Sequence, residues 1–268
     1  MMILESSVDI VALTCLAMDL YVDHGFSCVG GNAVNVATQC KRSGVKRVAV
    51  VGAVGADAYA PSLIDHLRAE GIDASHVYRL DGATATHKLY LTAGDRKEAP
   101  GLWQGGVYDV FRLSDADWDF VNTFDVVAIG AFDPNFEAVV TRLNPRCKLV
   151  ADFLDTRDFA HLEKHIDRID VAVLSGLHED VERARALSVG REVLILVTLG
   201  AEGCAALWHG EAYFQPALPV ADVVDTTGCG DAFQGAFIVS WFQNCDVRKA
   251  LQAGAEAAAH TLTHFGGV

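Results

Sequence analysis

The sequence predicts an α/β protein with a mainly parallel sheet, and two observations support that fold class. Short runs rich in Val, Ile and Leu alternate along most of the chain with segments of helical periodicity. Such runs are typical of parallel strands covered by helices on both faces, which gives a three-layer α/β/α arrangement. Between residues 84 and 103 the pattern changes to two short strands without a helix between them, which predicts a small additional sheet.

Composition and charge exclude several classes of protein. Of the 268 residues 51% are hydrophobic, which argues against disorder and allows one large domain with a substantial core. The formal net charge is -14 and no basic cluster is present, so we predict no nucleic-acid partner. The apolar first twenty residues carry acidic side chains and lack a basic leader, which predicts a buried strand, no membrane partner and a cytoplasmic location. The seven dispersed cysteines form no CxxC pair, which argues against a disulfide framework and a cysteine zinc site.

The chain begins with a predicted strand at residues 8–13, after which a glycine pair leads into a helical pattern. That stretch reads Gly30-Gly31-Asn32-Ala33-Val34-Asn35. On a helix Asn32 and Asn35 share a face, so both amides can address one polyhydroxylated ligand, and the glycines let such a ligand approach closely. The alternative role of Asn32 is a helix cap.

A strand at residues 47–54 and a helix at 59–70 come next, joined by a turn that contains two glycines. The turn resembles a dinucleotide fingerprint but lacks the third glycine and the spacing, which disfavours an oxidoreductase. The two short strands, residues 86–91 and 97–103, are joined by a glycine-containing hairpin connection. We predict a single domain over residues 1–268, with lid strands drawn from about 19–29 and 84–104.

The second half of the chain continues the alternation of strands and helices. A helix is predicted from a Ser cap at residues 114–122, strands are predicted at 126–129, 149–153, 171–174 and 193–198, and a last helix at 247–264. Ligands of parallel sheets bind at the carboxyl ends of the strands, and three of these ends carry suggestive residues. These are Asp152 with Asp155, His178 with Glu179, and the run Thr198-Leu199-Gly200-Ala201-Glu202-Gly203.

The most informative stretch is Asp225-Thr226-Thr227-Gly228-Cys229-Gly230-Asp231, which leads directly into an apolar helical segment. The glycines let a ligand touch the main chain, and a helix start offers unpaired N–H groups and positive charge to a phosphoryl anion. A carboxylate at Asp231 beside such an anion site fits a general base that takes a proton from a hydroxyl. The alternative is a loop that only starts a helix.

This stretch resembles the DTxGAGD signature of the ribokinase-like (PfkB) family of carbohydrate kinases, with Cys229 where that family usually has Ala. The glycine stretch similarly resembles the family's GGNxxN signature. The resemblance covers essentially the whole chain and implies a ribokinase-like fold with a small β lid that often doubles as a homodimer contact. It also implies that ATP and Mg²⁺ are used, and it implies roles for individual residues.

By this resemblance, Asp231 is the catalytic base and Gly228, Cys229 and Gly230 form the anion hole. Substrate binding is implied for Asp19, Gly30, Gly31, Asn35 and Asp231. Nucleotide binding is implied for Thr198, Gly200, Gly203, Thr226, Gly228 and Gly230, and Glu179 is expected to organise the metal indirectly, through water. The sequence departs from the family pattern at Thr14, Cys15 and Gly176.

Within the family, the GGNAVNVA segment, the run 152–155 and the closing His264-Phe265-Gly266-Gly267 are most similar to fructoselysine 6-kinases. This implies phosphoryl transfer from ATP to a primary hydroxyl of a fructosamine-type sugar. A kinase for fructose, ribose or a nucleoside is the first alternative. A catalytically inactive protein that binds a sugar or nucleotide is the second.

Overall fold

The computed structural model describes residues 8–92, 95–96 and 102–268, and the strands within these ranges are numbered in chain order. They are β1 (Ile10–Thr14), β2 (Ala17–Tyr21), β3 (Phe26–Gly30), β4 (Val48–Gly55), β5 (Asp73–Leu80), β6 (Ala85–Leu89), β7 (Leu91–Thr92), β8 (Asp95–Arg96), β9 (Trp103–Gln104), β10 (Val126–Gly130), β11 (Lys148–Asp152), β12 (Val171–Ser175), β13 (Leu194–Thr198), β14 (Cys204–Trp208) and β15 (Glu211–Gln215).

The helices are α1 (Asn32–Arg42), α2 (Ala60–Ala69), α3 (Val107–Val110), α4 (Asp115–Val121), α5 (Phe136–Arg142), α6 (Phe159–His165), α7 (His178–Ser188), α8 (Cys229–Asn244) and α9 (Val247–Thr261). None of the helices in the described ranges has the length and apolar character needed to cross a bilayer.

The main sheet has nine strands in the order β15-β14-β13-β12-β11-β10-β1-β4-β5. Neighbouring strands from β13 through β5 pair in parallel, whereas β14 and β15 add an antiparallel edge. The sheet order therefore brings the carboxyl ends of β1, β10, β11, β12 and β13 to one edge, where ligands of such sheets bind.

Helices cover both faces of this sheet, because successive side chains of each strand point to opposite sides. In β1, Ile10 and Ala12 belong to a core formed with α1, α2, α8 and α9. Val11 and Leu13 belong to the opposite core, formed with α3 to α7. The predicted three-layer fold is confirmed.

A second, smaller sheet stands at the ligand-binding edge and has the order β3-β2-β6-β9. Its strands lie within or next to residues 19–29 and 84–104, and β7 and β8 form a separate two-stranded hairpin. The hairpin connection was predicted at residues 93–96, but residues 95–96 form β8; residues 93–94 and most of the strand predicted at 97–103 lie outside the described residues. A homodimer through this lid stays a prediction.

Local sequence accounts for the helix boundaries near the site. The Ser114 hydroxyl accepts the Asp117 N–H in a capping box, as the sequence predicted. At α1 the cap is Gly31, with φ of 95°, and Asn32 is the first helical residue, so its side chain is available for other contacts. The last helix ends at Thr261, three residues earlier than predicted, and a turn follows.

Candidate active site

The site is built around the loop that starts α8. An Asp225 carboxylate oxygen accepts the Thr227 N–H at 2.9 Å and so fixes the turn, and Gly228 follows as the cap with φ of 75°. A Cβ added at Gly228 would lie 2.3 Å from the Gly267 Cα, so the position has neither the backbone conformation nor the space for a side chain. The Cys229 N–H donates to the Thr226 carbonyl at 3.3 Å, and Gly230, the next residue of α8, lines the open space at the sheet edge.

Asp231, on the first turn of α8, is held by the two asparagines of α1. The Asn32 amide donates to one carboxylate oxygen and the Asn35 amide to the other, both at 2.7 Å. These bonds favour the ionised form, because amide N–H groups stabilise an anion. The prediction that Asn32 and Asn35 share a face toward one ligand thus has a structural counterpart, since both point at the same carboxylate.

Two cavities meet at this point. The larger, about 1040 Å³, lies under the small sheet, and Asp231, Gly31, Asn32 and Asn35 are among its lining residues. The other, about 890 Å³, lies between β13, β14 and the helices α8 and α9. Both cavities are lined by Asp155, Ser175, Thr198, Thr226 and Gly230. A molecule in one cavity can therefore contact a molecule in the other beside the start of α8.

The predicted site residues other than Gly30 and Glu179 line one or both cavities, although Gly228, predicted to bind the nucleotide, lines only the cavity under the small sheet. Asp19, Gly31, Asn35, Gly228 and Asp231 line the cavity under the small sheet, which we call the sugar cavity. Gly200, Gly203 and Cys229 line the other, which we call the nucleotide cavity. Thr198, Thr226 and Gly230 line both. The catalytic and binding roles of these residues remain predictions.

Two of the predicted site residues, Gly30 and Glu179, are not among the described residues that line either cavity. A Cβ at Gly30 would lie 2.2 Å from a carboxylate oxygen of Asp19, so this glycine makes room for Asp19. The exposed Glu179 carboxylate forms an ion pair with Arg157, and Arg157 is the residue that lines the nucleotide cavity. Any link from Glu179 to that cavity thus passes through Arg157.

Sequence reasoning gave no role to Asp152, which the structure places in the sugar cavity at the end of β11. The Asn32 amide donates to it at 2.9 Å and so bridges Asp152 and Asp231. Burial, followed by the nearby charge of Asp231, raises the pKa of Asp152 to about 7. The available signal was its position at a strand end.

Asp133 was missed entirely, because it follows β10 in a turn without a recognisable motif. Its carboxylate is buried, accepts the Thr14 hydroxyl and the Asn135 N–H, and lines the sugar cavity. Burial raises the pKa of Asp133. Thr14 has φ of 109°, a backbone conformation that favours glycine, so its departure from the family pattern carries strain that the bond to Asp133 offsets.

Cys229 contributes its main chain to the start of α8, while its side chain lies against the nucleotide cavity. Burial and the charges of Asp225 and Asp231 raise the pKa of its thiol to about 12. Because the thiolate is the reactive form, Cys229 should react slowly with alkylating reagents despite its place beside the cavity.

The small sheet is tied to the end of the chain through Asp225. The Tyr21 hydroxyl of β2 donates to the Asp225 carboxylate, and the Gly266 N–H donates to the same oxygen at 3.0 Å. The Phe265 ring packs on Tyr21 and Phe26 with ring centroids 5.5 and 5.1 Å away. These contacts join the lid, the α8 loop and residues 265–266 in one unit.

Comparison with known proteins identifies the family. The model of the pfkB family carbohydrate kinases matches residues 18–157 and 168–268 of this chain. The chain belongs to that family. It is therefore a carbohydrate kinase.

Individual relatives of this pfkB kinase cover nearly its whole length. It is 31% identical to fructoselysine 6-kinase of Escherichia coli over 93% of this chain and 95% of that protein. It is 27% identical to fructosamine kinase FrlD of Bacillus subtilis over 96% of this chain and 92% of that one. Ribokinase of Arabidopsis thaliana, solved with ribose and ATP, has the same fold, with a TM-score of 0.80 at 21% identity over 97% and 94% of the two chains.

Proposed function

We propose that this kinase transfers the γ-phosphoryl group of ATP to a primary hydroxyl of a fructosamine-type sugar, with fructoselysine as the first candidate. The observation that carries the reaction is the position of Asp231. Its carboxylate lines the sugar cavity beside Gly230, and Gly230 lines both cavities. A sugar hydroxyl at Asp231 would therefore face a phosphoryl group at the start of α8.

In the proposed reaction Asp231 takes the hydroxyl proton as the hydroxyl oxygen attacks the γ-phosphorus. The amides of Asn32 and Asn35 hold the carboxylate in place before the sugar arrives. The N–H groups from Gly228 to Gly230 would stabilise charge on the transferred group, and phosphoryl transfer depends mainly on such positioning and electrostatics.

Mg²⁺ would enter with ATP, held mainly by phosphates and water. Asp155 lines both cavities and offers the oxygen ligands that this ion prefers, which fits such a role. When bound, the ion supplies positive charge that neutralises the phosphates. Asp155, rather than Glu179, is the acid that borders the junction of the two cavities.

Charge in the sugar cavity supports a cationic substrate. Six aspartates line it, Asp19, Asp109, Asp133, Asp152, Asp155 and Asp231, and the lining contributed by the described residues contains no Lys or Arg. The raised pKa of Asp133 and Asp152 reduces the negative charge that these two contribute. A sugar that already bears a phosphate would be repelled, whereas the amine of a fructosamine would be attracted. The names of the two relatives that cover most of this chain agree with that reading.

The test is an ADP-release assay with ATP and Mg²⁺ against fructoselysine, fructose, ribose and a nucleoside. We expect fructoselysine to give the highest kcat/KM. Higher turnover on a neutral sugar would retain the mechanism and overturn the specificity. No ADP release with any member of the panel would favour the alternative of a binding protein.

Asp231→Asn tests the mechanism in the same assay. Loss of a general base is expected to lower kcat by ~10²–10⁴-fold while sugar binding, measured by calorimetry, persists. Asp222→Asn is the control, because Asp222 is an exposed acid in the loop ahead of the site. Unchanged kcat in Asp231→Asn would exclude Asp231 as the base.

A further inference from the structure

Away from both cavities, three side chains with metal-binding atoms lie together on the α5–α6 face. They are Glu137, in the first turn of α5, and His161 and His165 of α6. The two histidines are four residues apart, so they share one face of their helix. One ligand atom from each of the three residues lies within 4.8 Å of the other two.

Hydrogen bonds orient both imidazole rings. The His161 Nε2 lies 2.9 Å from the Ala131 carbonyl oxygen, which can only accept, so this nitrogen carries the proton and Nδ1 keeps its lone pair. Histidines that bind metals commonly donate their second N–H to a backbone carbonyl in this way. His165 is buried, and its Nε2 lies 3.0 Å from the Glu137 carboxylate.

We propose that Glu137, His161 and His165 form a binding site for Zn²⁺, with water as the fourth ligand. Two imidazole nitrogens and one carboxylate oxygen are a set that zinc accepts, whereas Mg²⁺ and Ca²⁺ prefer oxygen ligands alone. Metal–ligand distances of about 2.0–2.2 Å require the three ligand atoms to draw closer together. Glu137 can make that adjustment, because 59% of its side chain is exposed.

Lys164 is the natural competitor of the metal at this site. Its Nζ lies 2.6 Å from the same Glu137 oxygen that faces His165. The Lys164 side chain is 61% exposed, so it can turn into solvent when a cation takes its place. Replacing Lys164 with a neutral residue should therefore strengthen metal binding. That result would distinguish a metal site from a cluster of ion pairs.

The proposed site adjoins the wall of the sugar cavity without entering it. The His161 ring stacks on Phe132, with centroids 5.2 Å apart and planes at 24°, and Phe132 lines that cavity. Metal binding would fix His161 and hence one face of this wall. The site itself does not depend on the proposed substrate or reaction.

The experiment is a Zn²⁺ titration of the full chain against a chromogenic chelator, without nucleotide or Mg²⁺. Glu137→Gln and His161→Gln should weaken one zinc site at least tenfold, and Lys164→Gln should strengthen it. Glu163→Gln is the matched control for Glu137→Gln. His260→Gln is the control for the histidine, because His260 and His264 have the same spacing but belong to no three-residue cluster in the described ranges.

Equal zinc affinity in the wild type, Glu137→Gln and His161→Gln would overturn the proposal. Glu137 is exposed, so its variant should fold even where a histidine variant does not. Co²⁺ provides a second readout, with a visible d–d band expected in the wild type and lost in Glu137→Gln. A thiolate charge-transfer band that persists in Glu137→Gln would instead assign the metal to cysteines and overturn the site.

Discussion

Asp152 shows how a single buried carboxyl group ties the acidic cavity to stability. Its ordinary pKa of 3.8 is raised to about 7 in the folded chain. Between these values the folded chain holds a proton on Asp152 that the unfolded chain has released. The free energy of unfolding should therefore fall as pH rises through this interval, by at most about 1.4 kcal/mol per pH unit from this group, and level off above it.

Asp152→Asn should remove that contribution and flatten the dependence between pH 5 and 8. Urea unfolding of both proteins at pH 5, 6, 7 and 8 measures it. Asp119→Asn, at an exposed position of α4, serves as the control and should keep the wild-type slope. Parallel curves for wild type and Asp152→Asn would contradict the raised pKa.

For individual residues, the sequence was most informative where a short local motif contains the chemically active groups. Asp231, Gly228 and Asn35 lie in short patterns that specify backbone and side chains together, and all three line the sugar cavity. Asp133 and Asp152 could not be assigned from their neighbours in the chain. They meet in the cavity because β10 and β11 are adjacent in the sheet, and strand order is a property of tertiary packing.

Among the elements, the start of α8 is confined by the last residues of the chain. Gly228→Ala should strain a backbone at positive φ and also push against Gly267, which displaces the proposed anion hole. Misplacement of about 1 Å can cost roughly 10²-fold, so we expect kcat to fall by about that factor.

Gly190→Ala is a matched control for this substitution. Gly190 also has positive φ, 69°, but a Cβ there would meet open space. Gly190→Ala should lower the free energy of unfolding by about 1 kcal/mol and leave kcat unchanged. Steady-state kinetics and thermal unfolding of Gly228→Ala and Gly190→Ala test this prediction. A similar kcat in the two variants would show that the contact with Gly267 is unimportant for kcat.

The hydroxyl of Tyr21 is expected to hold the lid over the sugar cavity through Asp225. Tyr21→Phe removes that bond and the one that the hydroxyl accepts from the Gly266 N–H, and it leaves the Gly266 N–H on Asp225, so the unfolding free energy should drop by about 1–2 kcal/mol. A looser lid should also raise KM for the sugar more than it lowers kcat.

Tyr78→Phe is the appropriate comparison, because the Tyr78 hydroxyl donates to Asp117 at 2.7 Å and neither residue lines a cavity among the described residues. Both variants should lose stability, and only Tyr21→Phe should change KM. A KM shift in both would mean that general destabilisation, not the lid, is responsible.

The element boundaries show the limits of pattern reading. The Ser cap of α4 and the parallel strands from β10 to β13 were predictable, because capping and apolar runs are local signals. The role of Gly30 was not, since the reason for a glycine there is the Asp19 side chain on the neighbouring strand. The position of Glu179 outside both cavities depends likewise on its pairing with Arg157, 22 residues away.

For the whole molecule, a net charge of -14 and an acidic cavity should attract a cationic sugar. Such attraction weakens as salt shortens the Debye length from about 10 Å at 0.1 M to about 3 Å at 1 M. We expect KM for fructoselysine to rise several-fold over that range. Fructose, which is neutral, is the control, and an equal rise for both sugars would argue against electrostatic recognition.

The same carboxylates act on the molecule that leaves. Phosphorylation adds a group with close to two negative charges at neutral pH to a sugar in a cavity lined by six aspartates, without a Lys or Arg among the described lining residues. Repulsion then favours its departure as soon as the lid opens. The wall that concentrates the substrate should thus expel the phosphorylated sugar, which predicts weak inhibition by accumulated ester and a forward reaction that continues at high conversion.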